Sequence, residues 1–324
     1  MNLAPSDFQN ELAAATRQWL AKELPIARSR ELAAEHGDLP DAETWTRCAE
    51  LGWLGLGLPA ACGGLELGAA EEVMLFRELG RGLAPGPFLA SVLGARAATA
   101  AGRADIAAAI ADGGRRVALS LSGRVLDGRA EDLLLTLDEN GALLDEIVEV
   151  APIASVDPLT RVSSLVRTAP LLRAEDALLL SRGHVLAAAQ LLGIIEAVRD
   201  MSVAYAGSRT QFGRPIGSFQ AVKHRCADMA VAAYAVVGQV NQAALYVDAG
   251  RPAAGFHAAA AYLVAARGAV RSATDNIQNH GGIGFTWEHD SHLYLKRATV
   301  LAAAFGPLRQ AHRPLMAPSR QEFE

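Results

Sequence analysis

Hydrophobic residues recur at helical spacing through the first third of the chain. Ser6 and Gln9 have the spacing of a capping box, in which two side chains satisfy the free amides at the start of a helix. The apolar face of this helix is predicted from Phe8, Leu12, Ala15 and Trp19. A glycine-rich segment, 51–64, breaks the pattern, and helical periodicity returns at 69–79 and continues to about residue 111. The pattern predicts an N-terminal helical domain over residues 1–114.

Short apolar runs separated by turn residues replace the helical pattern in the middle of the chain. The runs are 117–121, 132–137, 147–150 and 162–166. Glycines and the turn pair Asn140-Gly141 divide them, which is typical of short strands joined by tight turns. These observations predict four or five strands of a small antiparallel β domain over residues 115–172.

Helical periodicity returns at about residue 174 and continues toward the C-terminus. The first helix extends past Met201, and Pro215 interrupts it before Ser218, which can cap a second helix that reaches about Val247. Two more helices are predicted over 253–278 and 290–304. Four long helices with short connections predict a four-helix bundle over 173–324. The predicted fold class is therefore mainly α-helical with a small β domain.

Composition narrows the classes of partner and compartment. The chain has 324 residues, of which 51% are apolar and 20% charged, as in an ordinary globular protein of two or three domains. A net charge of −5 predicts neither nucleic acid nor an anionic membrane surface as a partner. The uncharged stretch 229–247 contains Gln239, Asn241 and Gln242, which favours a buried bundle helix over membrane insertion. Three scattered cysteines predict no disulfide framework and no metal site, and they fit a reducing cytoplasm.

The loop between the first two bundle helices carries the first candidate for chemistry. Arg209 and Arg214 offer forked, permanent cations that match phosphate oxygens, and Phe212 offers a flat apolar surface for a ring. Gln220 lies at the start of the following helix. The alternative reading of this loop is a solvated interhelical turn that binds nothing.

The second candidate is the end of the third bundle helix, at Gln278, and the glycine turn that follows. Gly281, Gly282 and Gly284 permit positive φ and let another molecule approach backbone amides closely. A plain glycine cap at the end of a helix explains two of these glycines without any ligand. From the residues alone, both readings stay open.

Taken together, these segments resemble the acyl-CoA dehydrogenase family, and the resemblance covers nearly the whole chain. Four motifs occur in the family's order and spacing: Gly63-Gly64-Leu65, Arg77-Glu78-Leu79-Gly80-Arg81, Arg209-x-x-Phe212-Gly213-x-Pro215-Ile216 and Gln278-x-x-Gly281-Gly282-x-Gly284. The resemblance implies a tetramer whose FAD lies across a subunit interface. It implies contacts to the pyrophosphate and adenosine of a neighbour's FAD by Arg209, Gln211, Phe212, Gln220, Gln278, Gly281 and Gly282. A hydroxyl residue is common in the family where this chain has Gln211.

The family reaction removes the α-proton and the β-hydride of an acyl-CoA thioester, with a carboxylate as base and FAD as hydride acceptor. The two usual positions of this base fall on Phe305-Gly306-Pro307 and on Gly183-His184, and neither is acidic. The middle domain is also short and lacks the family's Trp-Ile-Thr and Thr-Glu-Pro segments, which cover the flavin ring. The catalytic base is thus unknown, and Glu288 and Asp290 are the remaining named candidates. Other residues considered are Glu196, Asp200 and His289 as bases, and His280 and His292 as hydrogen-bonded histidines at helix ends.

Three functions follow from the resemblance. In the first, this chain is a short subunit that lends its FAD half-site to a full-length acyl-CoA dehydrogenase-like partner. The substrate would be a bulky acyl-CoA, such as one with a steroid side chain, and a separate electron acceptor would reoxidise the flavin. The second is a flavin-free scaffold or regulatory subunit of the same fold. The third is a self-sufficient dehydrogenase with an unusual base.

Overall fold

The N-terminal part of the chain is helical, as predicted. The computed structural model describes residues 3–35, 39–311 and 315. The helices of this part are α1 (Asp7–Glu23), α2 (Ile26–Ala34), α3 (Ala42–Glu50), α4 (Ala69–Arg81), α5 (Phe88–Ala100) and α6 (Ala104–Ala111). The capping box is confirmed, because Ser6 Oγ accepts from the Gln9 amide at 3.2 Å and Gln9 Oε1 accepts from the Ser6 amide at 2.9 Å.

The predicted apolar face of α1 is confirmed for Leu12 and Trp19, which are partly buried against the core, and is wrong for Phe8 and Ala15, which are exposed. Its buried residues are Ala13, Thr16 and Leu20, whereas Phe8 is 53% exposed. The small side chains of Ala13 and Thr16 let α1 pack closely against α4, and Arg17 forms a bidentate ion pair with the buried Glu78 of α4. The ion pair fixes the rotation of α1, so the bulkier Phe8 faces solvent.

The middle of the chain forms a closed barrel. Its strands are β1 (Val117–Leu121), β2 (Arg124–Leu126), β3 (Leu133–Asp138), β4 (Gly141–Ile153) and β5 (Val162–Glu175), in the order β1-β2-β5-β4-β3. Strands β1 and β3 pair in parallel, so the prediction of a purely antiparallel domain is wrong. The barrel closes by laying its first and third strands side by side, and these run in the same direction. Strand β5 continues past the predicted domain boundary at residue 172.

The C-terminal part is the predicted helical bundle. Its helices are α7 (Leu178–Ser208), α8 (Gln220–Asp248), α9 (Ala254–His280), α10 (Ser291–Ala303) and the short α11 (Leu308–Ala311). A small hairpin, β6 (Thr210–Gln211) with β7 (Arg214–Pro215), joins α7 to α8. Ser218 does not cap α8, because its hydroxyl donates to the Pro215 carbonyl within a preceding 3-10 turn. The ends of the predicted outer domains, 1–2 and 316–324, lie outside the described residues.

Helices α7 and α8 are the described helices that are long and apolar enough to cross a membrane, judged by length and composition alone. In the most apolar 18-residue stretch of each helix, 89% of the stretch is buried in α7 but only 33% in α8. The uncharged stretch 229–247 lies within α8, which packs against α7 and α9. The expected bundle helix is therefore confirmed, but the expectation that it is buried is wrong, because Gln239, Asn241 and Gln242 are only partly buried.

Helices α4 and α7 cross at very short distance and join the N-terminal part to the bundle. A Cβ atom at Gly80 would overlap the backbone carbonyl of Gln190, and one at Gly193 would overlap that of Arg77. Beside this crossing, Arg77 donates to both carboxylate oxygens of Glu196, at 2.7 and 2.5 Å. The crossing places the long helix α7 firmly, and α7 carries candidate site residues near both of its ends.

Candidate functional site

The hairpin after α7 projects an aromatic residue into solvent. Gln211 pairs with Arg214, so Phe212 and Gly213 form a two-residue turn with φ angles of 51° and 75°. A residue other than glycine at positive φ costs about 1 kcal/mol, and glycine or asparagine would suit this turn better. Phe212 is nevertheless present and is 90% exposed. The needs of the hairpin itself do not explain this residue.

The cations of this loop are available to a ligand. Arg209 and Arg214 are both exposed, and within the described ranges neither has a carboxylate partner. The guanidinium of Arg214 lies 4.4 Å from the centre of the Phe219 ring, which holds it beside the hairpin. Two unpaired guanidinium groups next to an exposed phenyl ring suit a phosphate-bearing aromatic molecule.

The glycine turn after α9 leaves its backbone open. Gly281 has φ 62° and ψ −139°, a conformation that requires glycine. A Cβ atom at Gly282 would meet nothing within 4 Å, so no packing within the described chain requires glycine there. Gly284 differs, because its Cβ would lie 2.8 Å from the Ile277 carbonyl oxygen. The first two glycines thus face open space, beside the exposed side chain of Gln278.

The hairpin and the glycine turn lie at the same end of the bundle. Arg225, near the start of α8, donates to Asn279 Oδ1 at 3.5 Å, and Asn279 also contacts Cys226. Tyr205, four residues before Arg209, stacks on His280, the residue before the glycines, with ring centroids 4.3 Å apart. The structure therefore gathers the predicted cofactor residues, all of them exposed, on one surface: Arg209, Gln211, Phe212, Gln220, Gln278, Gly281 and Gly282. This set of cations, amides, an aromatic ring and open backbone fits the pyrophosphate and adenosine of FAD.

A separate cleft of about 510 Å³ lies between the barrel and the bundle, and it contains both usual positions of the catalytic base. Phe305 and His184 both line it, with ring centroids 5.0 Å apart. A Cβ atom at Gly183 would lie 2.9 Å from Phe305 Cζ, so the two base positions are direct neighbours. Tyr262 of α9 completes a cluster of three rings, 5.0 Å from His184 and 5.5 Å from Phe305.

The ring cluster carries no negative charge. Burial lowers the pKa of His184 to about 4, so this imidazole is neutral at pH 7. Burial raises the pKa of Tyr262, whose hydroxyl donates to the Leu301 carbonyl at 2.8 Å. The acidic residues that line the cleft are Asp138 and the exposed Glu139, on the hairpin between β3 and β4 at its mouth. Aromatic rings thus occupy the place where the reaction needs a carboxylate.

The other acidic candidates lie elsewhere. Glu288 is exposed, and Asp290 pairs with Arg30 of α2 at 2.7 Å. Both precede α10, whereas Phe305 follows it, and the 13 residues of α10 extend for about 20 Å. Glu288 and Asp290 therefore do not face the cleft.

Glu196 and Asp200 belong to the interface between α4 and α7, where they pair with Arg77 and Arg81. Ser291 is the hydrogen-bond partner of His289. His280 is hydrogen-bonded as expected, through the Asn276 carbonyl at 2.9 Å.

The expectation of a hydrogen bond for His292 is wrong: neither ring nitrogen has a partner among the described residues. Its ring instead packs edge-on against Trp287, with centroids 4.8 Å apart.

Sequence reasoning missed two residues of these sites. Tyr262 lies in the middle of α9, where no motif distinguishes it from other core residues. Arg30 lies in α2 and reaches the segment after the glycine turn, where it also donates to the Trp287 carbonyl. Tyr262 and Arg30 each contact residues that are far away in the sequence. Local sequence pattern therefore could not predict that either residue belongs to these sites. No group of three or more potential metal ligands occurs among the described residues.

Comparison with protein-family models decides the relationship. The acyl-CoA dehydrogenase N-terminal domain model matches residues 6–113, and the acyl-CoA dehydrogenase C-terminal domain model matches residues 173–314. The chain belongs to the acyl-CoA dehydrogenase family. It is thus an oxidoreductase of the acyl-CoA dehydrogenase type, which acts on CH–CH groups with FAD as its cofactor.

Relatives of similar length match almost the whole chain. The acyl-CoA dehydrogenase IpdE2 of Mycobacterium tuberculosis is 34% identical over 295 residues, which cover 90% of each chain. IpdE2 of Mycolicibacterium smegmatis is 32% identical and covers 83% of this chain and 85% of its own. Among solved structures, a chain of the ChsE4-ChsE5 complex from Mycobacterium tuberculosis has a TM-score of 0.83 at 25% identity and covers 98% of this chain and 100% of its own. A chain of the Tcur3481-Tcur3483 steroid ACAD has a TM-score of 0.82 at 23% identity, covering 96% and 97% respectively, and shows the shared fold.

Proposed function

We propose that this chain is a subunit of a heteromeric acyl-CoA dehydrogenase and that it completes the FAD site of a full-length partner subunit. In this arrangement Arg209 and Arg214 neutralise the pyrophosphate, Phe212 stacks on the adenosine, and the backbone at Gly281 and Gly282 lies against the cofactor. The chemistry that bound FAD would supply is acceptance of a hydride from the acyl thioester. The carboxylate that removes the α-proton comes from the partner.

The observation that carries this proposal is the separation of the two sites along α7. The half-site follows the C-terminal end of α7, whereas His184 and the cleft lie near its N-terminal end. The helix from residue 184 to residue 208 extends for about 36 Å, because each residue adds about 1.5 Å. An acyl group in this chain's own cleft would be far from a flavin held at its own Arg209. The half-site therefore suits a flavin whose ring lies in another subunit.

The alternatives account for fewer observations. A flavin-free scaffold would need neither the strained, exposed Phe212 nor the unpaired Arg209. A self-sufficient dehydrogenase would need an acid in the cleft at Phe305, and Glu288 and Asp290 lie about 20 Å from it along α10.

The remaining features of the proposed complex follow from this role. Its substrate is a bulky acyl-CoA of the steroid side-chain type, and its assembly is a tetramer of two unequal kinds of subunit in the cytoplasm. A separate electron acceptor reoxidises the flavin. The relationship to a chain of the ChsE4-ChsE5 complex supports the heteromeric assembly.

The proposal is tested by the FAD content of the chain purified alone and co-expressed with a full-length acyl-CoA dehydrogenase-like partner. We expect no bound flavin in the lone chain and one FAD for each pair of subunits in the complex. Arg209→Ala in the complex should weaken FAD retention by about 10- to 100-fold, the loss expected for one charge-assisted contact. Arg103→Ala, which removes an exposed arginine of the N-terminal part, is the matched control and should change nothing. Stoichiometric FAD in the lone chain, or unchanged retention in Arg209→Ala, would contradict the proposal.

A further inference from the structure

Three aromatic rings pack against one another beside the two segments of the half-site. Tyr205 lies on the last turns of α7, just before Arg209, and its ring stacks on His280 with an interplanar angle of 25°. His280 is the last residue of α9 and directly precedes Gly281. The His280 ring also lies 4.4 Å from the ring of His289, centroid to centroid, with the two planes tilted by 44°. We call Tyr205, His280 and His289 the ring stack.

A buried chain of hydrogen bonds supports the ring stack. Ser202 Oγ donates to Asn276 Oδ1 at 2.7 Å, and Asn276 Nδ2 donates to Ser291 Oγ at 3.1 Å. These three residues are 0% exposed and come from α7, α9 and α10 respectively. The chain ends on the ring stack, because the Ser291 amide donates to His289 Nδ1 at 3.2 Å. The hydrogen bonds therefore join α7, α9 and α10, and the rings join α7, α9 and the segment that leads into α10.

The hydrogen bonds also define the protonation of the two imidazoles. A carbonyl oxygen can only accept, so the Nδ1 of His280 carries the proton that it donates to Asn276. His289 Nδ1 accepts from a backbone amide, so His289 holds its proton on Nε2. Burial lowers the pKa of His280 and outweighs the raising effect of its hydrogen bond to Asn276, and the neighbouring His289 has the smallest effect, which is also to lower it. The hydrogen bonds therefore hold both rings in defined orientations.

We propose that Tyr205, His280 and His289 are positioning residues that hold the Arg209 hairpin and the Gly281–Gly282 turn in fixed relation to one another. The inference rests on the proposed half-site function. The two segments leave different helices, and a cofactor that contacts both binds well only if their relative position is already set. The ring stack sets it, because Tyr205 precedes one segment and His280 begins the other.

The test measures release of FAD from the co-expressed complex by the recovery of flavin fluorescence after dilution. Tyr205→Leu removes the stacked ring and should release FAD about fivefold faster, in proportion to the value of one aromatic contact. Tyr205→Phe keeps the ring and should release FAD at the rate of the unchanged complex. His289→Leu removes the other end of the stack, should resemble Tyr205→Leu, and keeps the test open if Tyr205→Leu does not fold.

Tyr246→Leu is the matched control. Tyr246 makes a similar ring contact with His257, at 4.2 Å, but near the end of α8 that is remote from the half-site. It should lower the melting temperature without changing the release of FAD. Equal release rates in Tyr205→Leu and Tyr246→Leu, together with fast release in Arg209→Ala, would overturn the ring-stack inference and leave the half-site proposal standing. Unchanged release in Arg209→Ala would overturn the half-site proposal and this inference with it.

Discussion

Substitution of Glu196 by glutamine separates a structural role of this buried acid from a catalytic one. Glu196 is 4% exposed and makes two charge-assisted hydrogen bonds to Arg77, whose side chain is 25% exposed. Removal of one partner of a fully buried ion pair costs about 3–5 kcal/mol, because the other charge is left unpaired. Water can reach part of Arg77, so we expect the lower end of this range, about 3 kcal/mol of unfolding free energy.

Urea denaturation of four proteins measures the interaction: the unchanged chain, Glu196→Gln, Arg77→Met and the double variant. If Glu196 and Arg77 stabilise the fold through their contact, the double variant loses less unfolding free energy than the two single variants added together. We expect this difference, the coupling energy, to be about 2 kcal/mol. Asp105→Asn, which breaks the exposed pair of Asp105 with Arg103, serves as the control and should leave the denaturation midpoint unchanged.

Two results would refute this reasoning. Additive effects of Glu196→Gln and Arg77→Met would show that their contact contributes nothing to stability. Loss of turnover in the Glu196→Gln complex at unchanged stability and FAD content would make Glu196 a catalytic group, despite its place between α4 and α7.

Two further predictions concern the helix crossing and the cleft. Gly80→Ala places a Cβ atom against the Gln190 carbonyl and should lower the unfolding free energy by about 1–3 kcal/mol. The control, Gly238→Ala, has no atom within 4 Å of its new Cβ and should leave the unfolding free energy unchanged or raise it slightly. Urea denaturation midpoints measure both effects. The pKa of His184 falls from 6.5 in the unfolded chain to about 4 in the fold, so its stabilising effect is complete above pH 6.5 and is lost as the pH falls to 4. Urea denaturation measured between pH 6.5 and pH 4 tests this: in His184→Phe, the loss of unfolding free energy on acidification should be smaller by roughly 3 kcal/mol. An unchanged pH dependence would contradict the lowered pKa of His184.

Local pattern predicted the type of each major element because helical and strand periods differ. It failed where the outcome depended on a distant neighbour. The face that α1 buries is set by the pairing of Arg17 with Glu78 of α4, and the pattern of apolar residues does not record that contact. The parallel pair of β1 and β3 is likewise a consequence of barrel closure, since short strands joined by tight turns favour antiparallel neighbours.

The candidate sites show the same limit. The motifs around Arg209 and Gly281 predicted the proposed half-site because glycine, arginine and aromatic residues lie close together in the sequence. In the cleft, the family resemblance brought Phe305 and His184 to one site, but local pattern could not add Tyr262, which comes from the middle of α9. Spacing along the chain indicates chemistry only where one segment supplies the groups.

Two phenylalanines support the proposed role of this chain as one subunit of a larger flavoprotein. Phe305 lies at a usual position of the catalytic base and packs against His184 and Tyr262. A phenylalanine there makes packing contacts within the chain but cannot remove a proton. Phe212 differs: it is 90% exposed on a strained turn, and its ring contact within the chain is an edge-on one with Phe219, at 6.0 Å between centroids. It therefore costs free energy in the isolated chain and would gain further contacts when another molecule covers it. A subunit that acted alone would need the acid at residue 305 and would have no use for the exposed ring at residue 212. A subunit that serves a partner's flavin needs the ring and can dispense with the acid.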